Sequence, residues 1–415
     1  MHLCGIFSAC HLLRSPKHDL AWICIPSLPN APLISQDLHP QEKPSDSRQR
    51  IQSLDSLRFL AACAVFFSHA QPVSGEGWMD DLAHFSLVNA KSAVAFFFVL
   101  SGLVLHLSLR RTPLTPGSYG RFLVRRCFRI YPVYYVSLLL GFLVLQLNLS
   151  GIAVLNFDET ALQVLSHPPV SSEQWAHHLL LVSPGLDIDA VNPPIWTLAA
   201  EMRVAFILPF ISWLFARLSL RSGLVFLAAA FGLAPWIGQH SIASFSIVPL
   251  FMLGVWAGEH RATFLSMKAS TSWLVLAAGA ALYLLAPSMR HWVDGRGLSH
   301  FNIAALGSVL IILAIEQIAP LKKALLALVP PKLSDLSYSI YTLNFPLVLG
   351  LSYLFWKGML PFDWFVPVSF VVLITLSLFT YRCVEAPMIR LGRRLTRKTQ
   401  TSPCDVTSDA TRACP

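Results

Sequence analysis

Ten apolar runs divide this chain, near residues 54–72, 91–109, 131–149, 195–216, 222–238, 242–259, 271–287, 300–319, 334–355 and 363–384. Most approach the roughly 20 residues that a helix needs to cross a bilayer core about 30 Å thick. None alternates polar and apolar residues as a strand with one wet face does. Hydrocarbon offers no water to a backbone N–H or C=O, so a spanning segment must satisfy its polar groups within itself. The pattern predicts an all-α, polytopic membrane protein with about ten transmembrane helices. Composition agrees: 54% of residues are hydrophobic and 13% charged, against about 25% charged in soluble domains.

Lysine and arginine placement predicts the orientation. Arg110, Arg111, Arg121, Arg125, Arg126 and Arg129 follow the second run, and Arg217 and Arg221 follow the fourth. Arg261 and Lys268 follow the sixth, Lys322, Lys323 and Lys332 the eighth, and Arg390, Arg393, Arg394, Arg397 and Lys398 the last. The stretch 150–194 holds no Lys or Arg but carries Asp158, Glu159, Glu173, Asp187 and Asp189. Alternate loops are basic, as the positive-inside rule requires of ten spans in the cytoplasmic (inner) membrane with both termini cytoplasmic. Arg290 and Arg296 are the exception, on an outer loop. Topology thus accounts for the formal charge of +9, and no nucleic-acid partner is expected. The eight cysteines have no metal-ligand spacing, so neither a metal site nor a disulfide framework is expected. Residues 1–50 resemble a signal peptide only loosely and read as a disordered tail or an extension from a start codon assigned too early. Residues 51–390 form the membrane domain, and 391–415 a basic, then polar, tail.

Ionisable groups inside the apolar runs mark the candidate chemistry, because each is costly in hydrocarbon. Arg58 and His69 are eleven residues apart in the first run. At about 100° and 1.5 Å per residue they leave one helix face about 16 Å apart along the axis. Asp55 shares that face. The plainer reading makes Asp55 and Arg58 interfacial anchors and His69 an outer cap. Arg121, Arg125 and Arg129 recur every fourth residue and stripe a helix face, with Arg126 beside them. Guanidinium forks suit phosphate, although a juxtamembrane arginine cluster also serves topology or anionic lipid. Glu201 and Arg203 open the fourth run after Trp196, and they point to different faces, so each needs a partner from elsewhere or water. The run Leu336 to Pro346 carries Tyr338, Tyr341 and Asn344, whose polar groups line a cavity or bond neighbouring helices. Arg382 and Glu385 read as a structural pair three residues apart.

These segments together resemble one family. Leu54-Asp55-x-Leu-Arg58 with His69 beyond it, Phe97-Phe-Val-Leu-Ser-Gly102, Arg126-x-x-Arg129-Ile-Tyr-Pro, Trp196-Thr-Leu-x-x-Glu201, Leu336-Ser-Tyr-Ser-Ile-Tyr and Glu385-x-Pro387 occur in the order of the acyltransferase 3 motifs. That family comprises integral-membrane O-acyltransferases that modify extracytoplasmic glycans and some glycosylated metabolites. The resemblance covers roughly residues 52–390, without the soluble hydrolase-like domain that many relatives carry. It implies ten core helices and a cytoplasmic acyl-CoA donor, usually acetyl-CoA. It implies a catalytic role for His69, Arg58 and Glu201. Coenzyme A phosphates would lie on Arg126 and Arg129, with Arg125 beside them. The chain departs from the family pattern at Ser56, where Gly is common, at Met202, where a second Glu is common, and at Asn344, where His is common. Asn cannot titrate near neutral pH, so no proton transfer is placed there.

The expected function is transfer of an acyl group, most simply acetyl, from cytoplasmic acyl-CoA to a hydroxyl of an extracytoplasmic or membrane-associated glycan or glycosylated metabolite. Imidazoles titrate near neutral pH, so His69 is read as general base on the acceptor hydroxyl or as transient acyl carrier. Arg58 would steady the donor or a developing oxyanion. Trp196, Asp55, Tyr338 and Asn344 are expected to contact the acceptor, which enters beneath residues 150–194, where Trp175, His177 and His178 also stand ready for sugar. The alternative is a proton-coupled secondary transporter or flippase of a polar metabolite using His69, Glu201 and Arg58 as a relay. It predicts paired broken helices in two repeat halves, and the sequence shows no such repeat.

Overall fold

The computed structural model describes residues 44–74, 89–147, 164–165, 170–183, 190–240, 246–289, 299–359 and 361–397. The chain divides into units 1–47 and 48–415, and the account below concerns the second. Most of the expected N-terminal tail and the polar end of the C-terminal tail lie outside the described residues.

Every described regular element is helical, and no strand occurs among the described residues. The order is α1 (Pro44–Ser74), α2 (Ala90–Leu109), α3 (Pro116–Leu145), α4 (Ser172–Leu179), α5 (Trp196–Phe215), α6 (Leu220–His240), α7 (Val248–Glu259) and α8 (Arg261–Leu265). Next come α9 (Ala269–Leu285), α10 (His300–Gln317), α11 (Ala319–Leu328), α12 (Pro331–Ser334), α13 (Ser337–Trp356), α14 (Phe365–Thr380) and α15 (Ala386–Leu395). Six segments are long and apolar enough to cross a membrane: α2, α3, Pro193–Phe215, α10, α13 and the continuous stretch Phe365–Leu395. Parts of α6, together with α7 and α9, are apolar but shorter. α1 is not among the six, and its first turns are polar and charged (Pro44-Ser-Asp-Ser-Arg-Gln-Arg50). Large apolar side chains such as Leu139, Leu143, Phe210, Val225, Leu274, Val371 and Phe379 face outward. A protein in water rarely shows so much apolar exterior, and the six apolar segments give the matching conclusion of a multi-pass membrane protein.

Two helix boundaries differ from the expected ones. The third apolar run was expected to begin at 131, after a basic loop. The helix instead begins at Pro116 and carries Arg121 to Arg129 on its first half. Thr115 caps it: its Oγ1 accepts from the Ser118 N–H at 3.2 Å, and its own N–H donates to Ser118 Oγ at 2.8 Å. Pro116 fits the first helical position, where its missing N–H leaves nothing unpaired. At the other end of the chain, α14 passes through a π turn, Tyr381–Glu385, into α15. Arg390, Arg393 and Arg394 therefore sit on a helix and not in a tail. The extra residue of a π turn rotates the side chains beyond it about the helix axis. Glu385 is consequently buried and accepts from Ser339 Oγ at 2.7 Å, while Arg382 is exposed. The expected Arg382–Glu385 pair is corrected to a Ser339–Glu385 bond between helices.

The core is built on α2, which packs against α7, α10 and α5, while α3 packs against α13, α15 and α5. Gly102 makes the first of these contacts possible: a Cβ there would run into the Phe251 carbonyl of α7, and one on Gly254 would run into the Val99 carbonyl of α2. Small residues that bring backbones together are the usual adhesive where no hydrophobic force separates helix from lipid. Gly102→Ala should therefore lower stability by about 1–3 kcal/mol, the range for overpacking. The expected result is a lower thermal midpoint in detergent, and an unchanged midpoint would show that the two helices separate freely.

Candidate functional site

A cavity of about 1170 Å³ opens among α1, α2, α3, α5, α13 and α15. Seven of the expected residues line it: Asp55 and Arg58 from α1, Arg125, Arg126 and Arg129 from α3, Glu201 from α5 and Tyr338 from α13. Its charge is strongly one-sided. Arg58, Arg110, Arg111, Arg121, Arg125, Arg126, Arg129, Arg217 and Arg393 face two carboxylates, Asp55 and Glu201. Nine guanidiniums against two acids select an anion, and the forked donors of arginine favour phosphate.

The acids are committed. Arg126 pairs with Glu201, which also accepts from Ser101 Oγ at 3.2 Å. Arg58 pairs with Asp55 at 2.8 Å, one turn away on α1. This answers the question posed by Glu201 and Arg203: each finds a separate partner, since Arg203 donates to the Ser183 carbonyl at 2.9 Å. Arg126 Nε remains buried without a hydrogen-bond partner. Arg129 makes no ion pair or hydrogen bond among the described residues, and Arg125 reaches Thr396 Oγ1 at 2.7 Å. The cavity thus keeps donors available to an anionic ligand after its own acids are satisfied.

Beyond Glu201 the wall becomes aromatic. Tyr341 OH lies 2.6 Å from Thr197 Oγ1 and donates to the Pro194 carbonyl at 3.2 Å, and Phe97 meets the Tyr341 ring edge-on with centroids 5.1 Å apart. Tyr338 OH donates to the Ile130 carbonyl at 2.8 Å. The polar face of α13 therefore serves both expected purposes, lining a cavity and bonding a neighbour.

Three expected residues do not line the cavity: His69, Trp196 and Asn344. The half-buried His69 ring stands edge-on to Phe345, centroids 5.4 Å apart. Phe345 is one turn beyond Tyr341 on α13, a rise of about 6 Å. His69 thus lies past the aromatic end of the cavity and not on its wall. Asn344 is buried and donates to its own helix at the Tyr341 and Ile340 carbonyls, 2.6 and 3.3 Å away, leaving Oδ1 without a partner. Trp196 packs against Phe98 and Phe301. Neither side chain reaches the cavity's ligand space, because one is turned into its helix and the other into the aromatic core. Trp175 packs on Phe142 and His178, and most of residues 150–194 between them lie outside the described residues.

Several cavity residues had no role assigned from the sequence. Ser101 and Thr197 lay inside quoted motifs. Arg393 reaches the cavity because the π turn re-aims α15.

Comparison with known proteins gives an independent view of the same residues. A family model described as an acyltransferase domain matches residues 51–382. Nodulation protein 10 of Rhizobium leguminosarum bv. viciae is 27% identical over 370 residues, which is 83% of this chain and 94% of that protein. No solved structure matches.

Proposed function

We propose that this chain, which belongs to the acyltransferase 3 family, moves an acyl group from a cytoplasmic acyl-CoA to a hydroxyl of a glycan or glycosylated metabolite across the membrane. It is an acyltransferase and a multi-pass membrane protein. The proposed parts are the donor, the acceptor class, acetyl as the simplest acyl group, ten crossings with both termini in the cytoplasm, and the inner membrane as location. The observation that carries the reading is the cavity with nine guanidiniums, most of them from α1, α3 and α15, whose far end is Tyr341.

In this reading the donor's phosphates rest on Arg129, Arg125 and the free edge of Arg126, and its thioester arm points past Arg58 toward Phe97 and Tyr341. The acceptor hydroxyl comes to His69 from the opposite side. His69 takes the hydroxyl proton as the oxygen attacks the thioester carbonyl, the carbon–sulfur bond breaks, and the imidazolium returns the proton to the leaving thiolate. Arg58 supplies a positive charge to the donor arm as it passes toward Tyr341. Glu201 holds Arg126 in place, a positioning role. For the transfer, the thioester must pass the Phe97–Tyr341 pair, so those rings shift in the working enzyme.

Arg129 offers the sharpest test of the donor end because, among the described residues, it makes no hydrogen bond or close ion pair, although its charge bears on the buried Glu385 and on Glu201. Loss of one charge-assisted contact, about 1.5–3 kcal/mol, should raise the KM for acetyl-CoA roughly 10- to 100-fold in Arg129→Gln with kcat little changed, the signature of lost ground-state binding. The wider reading is tested by mass spectrometry of cell-surface glycans with and without the gene. A missing acyl increment supports it. Unaltered glycans, together with transport of a polar metabolite by purified protein lacking any acyl donor, would replace it with the transporter reading.

A further inference from the structure

A second polar constellation opens on the same cavity, away from His69. Ser212 on α5 lines the cavity wall, and its Oγ lies 2.9 Å from His106 Nδ1 on α2. His106 Nε2 lies 3.0 Å from Glu259 Oε2 at the end of α7, and Arg110 holds the other carboxylate oxygen at 3.2 Å. Three helices that are far apart in sequence deliver a hydroxyl, an imidazole and a carboxylate in one line. Both separations fall within the 2.6–3.2 Å expected of a nucleophile, its base and the group that orients the base.

The protonation states are set by the partners. Glu259 is acceptor-only when ionised, so the imidazole carries its proton on Nε2 and donates it there. Nδ1 is then an acceptor, and Ser212 Oγ–H donates to it. A serine inside a helix usually bonds the carbonyl of the turn before it. Ser308 does so, to Ala304 at 2.7 Å, but among the described residues the Ser212 hydroxyl is bonded to His106 alone. Its proton already points at a base, and its lone pairs are left for the cavity. Polar glue between helices explains a buried His–Glu pair. It does not explain a hydroxyl on the cavity wall as the outermost member.

We propose that Ser212, with His106 as base and Glu259 as orienting acid, is a second nucleophilic centre that takes an acyl group from an activated ester or thioester in the cavity and releases it to water. Ser212 follows Glu201 by eleven residues, so the two share one face of α5 about 16 Å apart along the axis. The centre therefore stands toward the arginine-bearing end, next to Trp213 and Arg217, where an acyl thioester enters under the reading given above. This inference rests on that reading only for the identity of the natural acyl donor. Ser212 Oγ attacks the acyl carbonyl as its proton moves to His106 Nδ1. The carbon–sulfur or carbon–oxygen bond breaks, and the leaving group takes that proton. Water then attacks the acyl-serine, giving its proton to His106, and the carboxylic acid departs as Ser212 recovers its hydrogen. The physiological meaning is a slow acyl-donor hydrolysis, independent of any glycan acceptor.

The test uses the full chain purified in detergent and two probes without phosphate-bearing cofactor: p-nitrophenyl acetate and a fluorophosphonate. Acid-quenched peptide mass spectrometry should find acetyl or phosphonyl on Ser212, with nitrophenol release lowered about 10²- to 10⁴-fold in His106→Gln, the usual contribution of a general base. Ser212→Cys keeps the side-chain volume and should carry the acetyl as a thioester, which separates loss of the nucleophile from loss of the fold. Finding acetyl on Ser212 in His69→Ala protein supports this centre whether or not the transfer reading survives. Folded wild-type protein with neither probe on Ser212, or nitrophenol release that is the same in Ser212→Ala, overturns it.

Discussion

His69→Ala should lower acyl transfer by about 10²- to 10⁴-fold, the range for removing a general base, while acetyl-CoA still binds at the arginine end. The reason for the separation is geometric. Arg58 and His69 share one face of α1, but only Arg58 lies on the cavity wall, and His69 sits behind Phe345, one turn past Tyr341. A substitution so far from the phosphate grip touches the chemical step and not the grip. Labelled acetyl-CoA measures both: equilibrium binding to the variant, and transfer to an acceptor glycan. His69→Asn keeps a polar side chain of similar reach but no titrating nitrogen, so it should be as inactive as the alanine variant. Transfer within a few-fold of wild type in either variant would remove the imidazole from the reaction. The arginine cavity would then have to deliver its acyl group elsewhere, and Ser212 would be the first side chain to examine.

The parts of this architecture legible in sequence are those set by local periodicity. Apolar runs near 20 residues located the helices, and a four-residue arginine repeat placed Arg121, Arg125 and Arg129 on one face, where the structure finds them on one cavity. Local patterns also misled. The third apolar run was placed from residue 131, yet a threonine cap followed by proline at the first helical position starts α3 fifteen residues earlier, at Pro116. Arg382 and Glu385 had the spacing of an intrahelical pair, but a π turn, which no period of 3.6 foretells, sent Glu385 to Ser339. The helical-wheel argument put Arg58 and His69 on one face of α1. It carried no knowledge of Phe345 or Tyr341, which close the cavity between them from another helix 270 or more residues away. The His106, Ser212 and Glu259 line was illegible for the same reason. Each residue alone looks like an ordinary polar insertion in an apolar helix, and only the packing of α2, α5 and α7 gives them a common direction.

The Arg126–Glu201 pair joins residues 75 positions apart and answers a question that sequence alone left open. It also predicts the largest stability effect. Arg126 and Glu201 side chains are 7% and 19% exposed, so removing one partner strands the other's charge. Arg126→Ala should destabilise the protein by about 3–5 kcal/mol, the range for breaking a buried pair, and should show as a large fall in thermal midpoint or in yield of folded protein from the membrane. Donor binding would fall in the same variant for two reasons at once, which makes the single substitution a poor test of phosphate recognition. A double-mutant cycle separates them. Glu201→Gln in the Arg126→Ala background removes the stranded charge and should restore much of the stability. The coupling energy should fall within the roughly 0.5–3 kcal/mol seen for residues in contact. Donor affinity should not return with it, because the guanidinium that faces the phosphates is still missing. If stability and affinity recover together, Arg126 serves only to neutralise Glu201, and the phosphate grip belongs to Arg129 and Arg125 alone. If stability stays low in the double variant, the cost lies in the packing of the arginine stem among α3 and α5 and not in its charge.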